Sequence, residues 1–279
     1  MTAIQVTTLE QFSRFSTDAY GIERLLRGLH AIAMVLAAYY ALIPPLSPPL
    51  SLFHLPPQYV LHALASKLGF IRRPFRLFRF LEAFTNAYES FRDSPSSLGD
   101  SNTSLLATGT WVLDILSQSF MAVYLLLESA TFPDLLMLEA GAEAFFGRKE
   151  TERIIAESQK WWFVALATGV LAGVGRLWLL RGAVRVGKRK GGKDGDEEKK
   201  KEWEESVIRQ KKWKIVRKMA ADVMDLSVPG SIIGWVPVSQ GTVGFLMFWS
   251  TVLTALEVWE RCGREIAEAK AGLLKEKSA

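Results

Sequence analysis

Residues 161–180 read WWFVALATGVLAGVGRLWLL, an apolar run of 20 residues that contains one charged side chain, Arg176. A helix of this length is about 30 Å long, which matches the hydrocarbon core of a bilayer. Tryptophans stand near both ends of the run, and Arg181 and Arg185 follow it. Aromatic and basic residues in these places anchor a helix at the membrane surfaces, so the run predicts a transmembrane helix.

A second run, residues 238–256, reads VSQGTVGFLMFWSTVLTAL and contains no charged residue. The alternative for either run is a helix buried in the core of a soluble protein. Two such runs in one chain favour the membrane. A mean hydropathy of +0.13 over the whole chain agrees with this interpretation.

Two further apolar stretches are weaker. Residues 29–43 are too short to cross a bilayer easily and end at Pro44, whereas residues 105–127 are long enough but contain Asp114. We predict that both form packed or partly embedded helices. A carboxylate inside the membrane is a candidate functional group, but a helix at the membrane surface with Asp114 in water fits the same pattern.

Composition limits both the fold and the chemistry. Alternation of apolar and polar residues is nearly absent, so we expect an all-α membrane protein: a helical bundle with about two spanning helices plus amphipathic and interfacial helices. One cysteine and three histidines without metal-ligand spacing argue against a disulfide framework or a zinc site. Hydrolase, dinucleotide-binding and phosphate-binding motifs are missing. We therefore predict no catalytic residue, no metal, no cofactor and no enzymatic activity.

The net charge of +5 is unevenly distributed along the chain. Residues 185–218 hold 14 Lys and Arg against 7 Asp and Glu, a net charge of +7, whereas the other residues hold 20 against 22. Because the excess of positive charge is confined to one segment, we predict no nucleic-acid partner.

Composition also divides the chain into regions, and six prolines mark residues 44–57 as a loop. The predicted regions are an N-terminal helical region (1–93) with an amphipathic membrane-binding helix (73–91), a polar linker (94–104), membrane-associated helices (105–185) that include the spanning helix 161–180, a charged loop (186–206), and a C-terminal region (207–279) with a helix, the spanning helix 236–257 and a polar tail.

Residues 71–91 read IRRPFRLFRFLEAFTNAYESF. Large apolar side chains recur there at steps of three and four, which places them on one face of a helix. These are Ile71, Phe75, Phe78, Leu81, Phe84, Tyr88 and Phe91. The first half of the segment is basic, with Arg72, Arg73, Arg76 and Arg79.

A basic amphipathic helix can lie in a membrane surface, with its apolar face about 5–10 Å deep and its arginines on anionic head groups. Insertion into one leaflet favours positive curvature. We therefore predict that these eleven side chains bind the membrane and that anionic lipids are a partner. The alternative, a helix whose apolar face packs on the protein's own core, is left open by the residues alone.

Small residues recur every four positions in the first spanning run, at Ala165, Gly169 and Gly173. This spacing makes a groove in which two helix backbones approach closely. The groove can pack a second copy of the chain or another helix of the same chain.

The C-terminal third carries a recognisable pattern: DLSVPGSIIGW at 225–235, then Gly241-Thr-Val-Gly244, Ser250-Thr251 and Trp259. It resembles the C-terminal signature of the peroxin-11 family of peroxisomal membrane elongation and division factors. LEQFSRF at 9–15 and YGIERLLR at 20–27 resemble the N-terminal motif of the family, and residues 72–84 resemble its Arg-rich amphipathic helix. The proline-rich segment and the charged loop depart from the family pattern and suggest a divergent, fungal-type branch.

The resemblance implies a multi-pass protein of the peroxisomal membrane that remodels and elongates this membrane, self-associates and recruits the fission machinery, so that it promotes peroxisome proliferation. The alternative is a small-metabolite channel or solute carrier of the same membrane, with Asp114, Gln118 and Gln240 along its path. The resemblance also places both termini in the cytosol and the loop 186–206 in the matrix. The positive-inside tendency favours a cytosolic loop instead, and we follow the resemblance.

Overall fold

The computed structural model describes residues 6–40, 57–93, 105–189 and 195–278. The α-helices are, in chain order, α1 (Thr8–Thr17), α2 (Ala19–Ala38), α3 (Pro57–Ile71), α4 (Arg79–Arg92), α5 (Leu105–Glu139), α6 (Arg148–Arg189), α7 (Gly195–Asp225), α8 (Ser227–Ile232) and α9 (Gln240–Ser278). These ranges contain no β-strand, which confirms the all-α prediction. The predicted linker 94–104 and all but the last residue of the proline-rich segment 44–57 lie outside the described residues.

Helices α1, α2, α3 and α9 belong to one compact unit, formed by Met1–Phe75 and Val238–Ala279. Helix α2 runs antiparallel to α9. At the start of α2, the Asp18 carboxylate pairs with Arg261 at 2.8 Å, and beyond its end Tyr39 contacts Gly241. Helix α3 packs on α2 in the same unit.

Helix α1 begins with a capping box and lies on the C-terminal part of α9. Thr7 accepts a hydrogen bond from the Glu10 backbone N–H, and the Glu10 carboxylate accepts one from the Thr7 N–H. Two ion pairs join α1 to α9: Arg14 pairs with Glu265 at 2.9 Å, and Glu10 pairs with Lys270 at 2.8 Å.

Helices α4 to α8 belong to a second compact unit, Arg76–Pro237. Its centre is the antiparallel hairpin of α5 and α6. The Asp134 carboxylate holds the turn of this hairpin, since it accepts hydrogen bonds from the backbone N–H groups of Phe145 and Phe146 and from the Thr151 hydroxyl. Helix α4 packs on α5, and α7 and α8 pack on α6.

Three helices in the described ranges are long and apolar enough to cross a membrane: Leu105–Glu139, Arg148–Gly182 and Gln240–Leu273. The second contains the predicted span 161–180, and the third contains the predicted span 236–257 except for its first four residues, because α9 begins at Gln240. The first is an addition, because the sequence had predicted about two spans and had placed residues 105–127 in a packed or partly embedded helix. Its length of 35 residues exceeds what a bilayer requires.

The charged loop predicted at 186–206 is largely helical where the structure describes it. Helix α6 continues to Arg189, and α7 begins at Gly195. Lysine and glutamate are good helix formers, and charges of opposite sign at a spacing of four stabilise a solvated helix. Polarity had predicted exposure, but it does not distinguish a loop from a solvated helix.

Candidate membrane-binding surface

The basic amphipathic segment is not one continuous helix. Helix α3 ends at Ile71, a 3-10 turn covers Pro74–Arg76, and α4 begins at Arg79. Proline disfavours the α conformation of the residue before it, here Arg73, so α3 ends in front of this residue. The prediction of one helix over 73–91 is therefore wrong in its first part, and only the second part of the apolar stripe lies on α4.

The apolar stripe is exposed along its whole length. Phe78 is 69% exposed and Tyr88 is 64% exposed. The other predicted members are exposed as well: Ile71, Phe75, Leu81, Phe84 and Phe91. The alternative interpretation, in which this stripe packs on the protein's own core, does not describe the structure.

Helix α4 contacts the protein through a different face, which carries small residues. Ala87 is buried and Ala83 is half-buried. Ser90, on the same face, accepts a hydrogen bond from the Trp111 indole at 2.7 Å through its carbonyl and one from the Gln118 amide at 3.1 Å through its hydroxyl. At the other end, the Ser129 hydroxyl donates to the Leu77 carbonyl, so α4 lies antiparallel along α5.

The third face of α4 is polar and exposed, with Glu82, Asn86 and Glu89. The helix thus presents a small face to α5, a large apolar face to its surroundings, and a polar face on the remaining side. Separate apolar and polar faces on an exposed helix are typical of a helix at a membrane surface.

Two of the four arginines that were predicted to bind head groups have partners inside the protein. Arg72 is buried, pairs with Glu23 at 2.8 Å and lies 3.2 Å from the His30 ring. Arg76 pairs with Glu128 at 2.6 Å and donates to the Tyr124 hydroxyl.

Arg73 and Arg79 are half-buried and stay candidates for head-group contacts. The structure therefore shows that Arg72 and Arg76 hold the segment in place. The sequence did not predict this role, because the partners of Arg72 and Arg76 lie 49 and 52 residues away.

The small-residue groove of α6 is filled by the same chain. The Ser117 hydroxyl donates to the Ala165 carbonyl at 2.8 Å, and a Cβ on Gly169 would lie 2.9 Å from the same hydroxyl. A Cβ on Gly173 would lie 2.4 Å from the Met219 side chain. Of the two alternatives for this groove, the structure has the packing with α5 and α7, so it is not available to a second copy.

A sequence model of the family described as Peroxisomal biogenesis factor 11 (PEX11) matches residues 9–259 of the 279. The chain belongs to this family. No curated protein sequence and no solved structure matches it. Members of the family are peroxisome biogenesis factors, and the three apolar helices agree with a protein of the peroxisomal membrane.

Four of the five glycines of the family-like motifs lie at close contacts between helices or across turns, and the fifth, Gly234, has a positive φ of 76°. A Cβ on Gly244 would lie 2.9 Å from the Met34 Cβ in α2, and one on Gly21 would lie 1.9 Å from the Phe15 carbonyl oxygen. Gly230 lies against Val236 in the same way. These motif positions therefore serve the packing of the helices.

The ion pair that joins α5 to α6 was not predicted. Asp114 pairs with Arg176 at 3.1 Å, and both side chains are partly exposed. Each is a charged residue inside an apolar run, and the two charges have opposite signs. These two features of the sequence could have predicted the ion pair. Gln118, which was considered for a solute path, bonds to Ser90 instead, and Gln240 stands exposed at the start of α9.

Proposed function

We propose that this chain remodels and elongates the peroxisomal membrane by inserting the exposed apolar face of α4 into one leaflet. The observation that carries the proposal is the exposure of Phe78, Leu81, Phe84, Tyr88 and Phe91 beside a separate polar face. Membership of a family of peroxisome biogenesis factors supports this assignment.

The stripe is large enough to hold the helix on a bilayer. A large apolar side chain contributes roughly 1.5–3 kcal/mol when it is fully buried, and less in a partly hydrated interface. Five such side chains therefore contribute several kcal/mol. Arg73 and Arg79 add about 1 kcal/mol each beside an anionic surface, and salt screens this contribution.

Insertion requires α4 to leave its position along α5. If α5 stands upright in the membrane while α4 is docked on it, Glu82, Asn86 and Glu89 face the acyl chains, which is costly for charged groups. A helix axis in the plane of the surface places the stripe in lipid and these side chains in water. We therefore place the active form of α4 in the interface, with the docked form as its resting state.

The test compares two full-length variants in liposomes that contain anionic lipid. Phe84→Glu adds a charge to the stripe, and the control, Asn86→Glu, adds the same charge to an exposed position on the polar face. The stripe variant should insert its spanning helices but lose tubulation, and the control should keep it. A correctly inserted stripe variant that still tubulates the liposomes would contradict the proposal.

We also propose, from the family resemblance, that the chain self-associates and recruits the peroxisomal fission machinery from cytosolic termini. Cross-linking of the protein in peroxisomes, followed by identification of the linked chains, tests for a second copy of the chain and for proteins of the fission machinery. Recovery of monomer alone, at cross-linker doses that link a known oligomer, contradicts self-association.

A small-metabolite channel is the second candidate, and the Asp114–Arg176 pair favours it. Paired charges within apolar helices often mark a path for a polar solute. Flux of a small solute through reconstituted protein, compared between the natural chain and Asp114→Asn, tests this candidate. Equal flux in the two proteins, or flux no greater than that of empty liposomes, removes it.

A further inference from the structure

Helix α7 lies antiparallel against α6 along the spanning run. The contacts move toward lower numbers on α6 as the chain advances from α7 into α8. They join Met219 to Gly173, Asp222 to Gly169, and Gly230 to Phe163. The chain from Met219 to Gly230 therefore follows α6 back from Gly173 to Phe163.

Exposed tryptophans mark one end of this contact at the same level on both helices. Trp178 is five residues beyond Gly173 on α6, and Trp213 is six residues before Met219 on α7. These two indoles are 64% and 59% exposed. Tryptophans of this kind collect where a helix passes through the surface of a membrane.

A second pair of exposed tryptophans, Trp161 and Trp235, marks the other end. Trp235 packs edge-on against Phe163, with ring centroids 5.1 Å apart. From Trp161 to Trp178 the helix rises about 26 Å, which is close to the thickness of a hydrocarbon core. The two pairs thus stand one acyl layer apart.

The surface of α7 and α8 changes from polar to apolar at the first pair of tryptophans. Residues 209–214 are all exposed, and four of the six are Lys or Arg. From residue 215 to residue 233, the exposed side chains are Val216, Lys218, Val223 and Ile232. Three of these four are apolar, as is required of side chains that face lipid.

The four charges between residues 215 and 233 are buried or paired, and their presence explains why hydropathy alone does not select this segment as a span. Arg217 and Asp225 are buried, and Lys218 pairs with Asp222 at 2.8 Å. Ionisable groups inside a membrane are tolerated where they pair with one another or face the protein interior.

We infer that residues 213–235 cross the acyl layer beside α6, with Val216, Val223 and Ile232 in contact with lipid acyl chains. With α5, α6 and α9, this segment makes a fourth crossing. The inference rests on α6 and α9 being membrane-embedded and does not depend on the role of α4.

The fourth crossing changes the side on which the charged segment lies. The chain leaves α6 at the Trp178 end, returns through 213–235, and crosses again in α9, so the C-terminus shares the side of residues 186–206. Helix α1 is paired to the end of α9 through Glu10 and Lys270, so the N-terminus is on this side too. Residues 185–214 hold 12 Lys and Arg against 7 Asp and Glu, and a cytosolic location satisfies the positive-inside tendency together with cytosolic termini.

A protease-accessibility experiment on intact peroxisomes tests this topology. The full chain carries an N-terminal epitope behind one protease site and a second site between Gly191 and Gly192. Added protease should cut both sites without detergent. If one site is cut and the other needs detergent, the fourth crossing is wrong.

Cysteine labelling gives an independent test that leaves the charged segment unchanged. Two single-cysteine variants, Lys212→Cys and Val223→Cys, are made in a Cys262→Ala chain. Each is treated with a membrane-impermeant maleimide, with both membrane faces accessible. We expect position 212 to be labelled and position 223 to be labelled only after detergent is added. Equal labelling of the two positions in the membrane would overturn the inference.

Discussion

Replacing Arg72 with Gln separates a structural role of this arginine from the lipid-binding role that its sequence suggested. The Arg72 and Glu23 side chains are 8% and 3% exposed, and their charged atoms lie 2.8 Å apart. Removing one partner of a buried ion pair leaves the other charge uncompensated, at a cost of about 3–5 kcal/mol. We expect Arg72→Gln to lower the free energy of unfolding by an amount of this order.

The assay is unfolding of the purified chain in mixed micelles, paired with binding to vesicles of rising anionic-lipid content. Arg73→Gln is the matched control, because it removes the neighbouring charge from a half-buried side chain. The control should change stability by about 1 kcal/mol or less and weaken binding to anionic vesicles. Arg72→Gln should show the reverse pattern.

A double variant, Glu23→Gln with Arg72→Gln, tests the pairing itself. Because neither side chain keeps a charge, the double variant should lose less stability than the sum of the two single losses. Additive losses would show that the two groups do not depend on each other. If Arg72→Gln unfolds like the natural chain but loses its preference for anionic lipid, the structural role is refuted.

Three further predictions test other contacts. Gly173→Ala should lower the free energy of unfolding by about 1–3 kcal/mol, since its Cβ would lie 2.4 Å from the Met219 side chain. This loss of stability should be smaller in a Met219→Ala chain, and the control Gly109→Ala, whose Cβ would contact nothing, should lose no stability. The Lys270 ammonium, followed by the Thr7 N–H, lowers the pKa of Glu10 to about 2. The contribution of this carboxylate to the stability of α1 is present above its ordinary pKa of 4.5 and is lost as the pH falls toward 2. The protection of the α1 amides against hydrogen exchange should therefore fall over this interval in the natural chain but not in Glu10→Gln. A short thiol cross-link between Ser90→Cys and Gln118→Cys, in a Cys262→Ala chain, should hold α4 on α5 and stop tubulation until the link is reduced; tubulation by the linked protein would contradict insertion of a released helix.

The sequence predicted the helices from periodicity and length, and these signals are local. Two of the spans followed from long runs with at most one charge. The third, α5, was underestimated because its Asp114 is compensated by Arg176, 62 residues later, and a hydropathy scan counts charges without their partners. The segment 213–235 is the same case in a stronger form, since four of its five charges are buried or paired and the fifth, Lys214, lies at its end beside Trp213.

The candidate surface was predicted in part. The apolar stripe from Phe78 to Phe91 followed from its spacing, and its exposure agrees with the membrane-binding hypothesis. The roles of Arg72 and Arg76 could not be predicted, because Glu23 and Glu128 reach them only through the tertiary fold. The break before α4 was predictable, since Pro74 restricts the residue in front of it.

The faces of α4 give a reason for the helix to move from α5 to the membrane. Its contact with α5 uses alanines, the stacking of Phe91 on Trp111, the two hydrogen bonds accepted by Ser90 and the one accepted by Leu77. Each such hydrogen bond contributes about 0.5–1.5 kcal/mol net. The exposed stripe has five large apolar side chains, each with roughly 1.5–3 kcal/mol available on full burial. Release gives up these contacts and moves Glu82, Asn86 and Glu89 from the acyl chains to water, while the stripe stays in lipid. The ion pair of Arg76 with Glu128 lies before the first turn of α4, so it can hold the start of the segment on α5 while the helix swings into the leaflet.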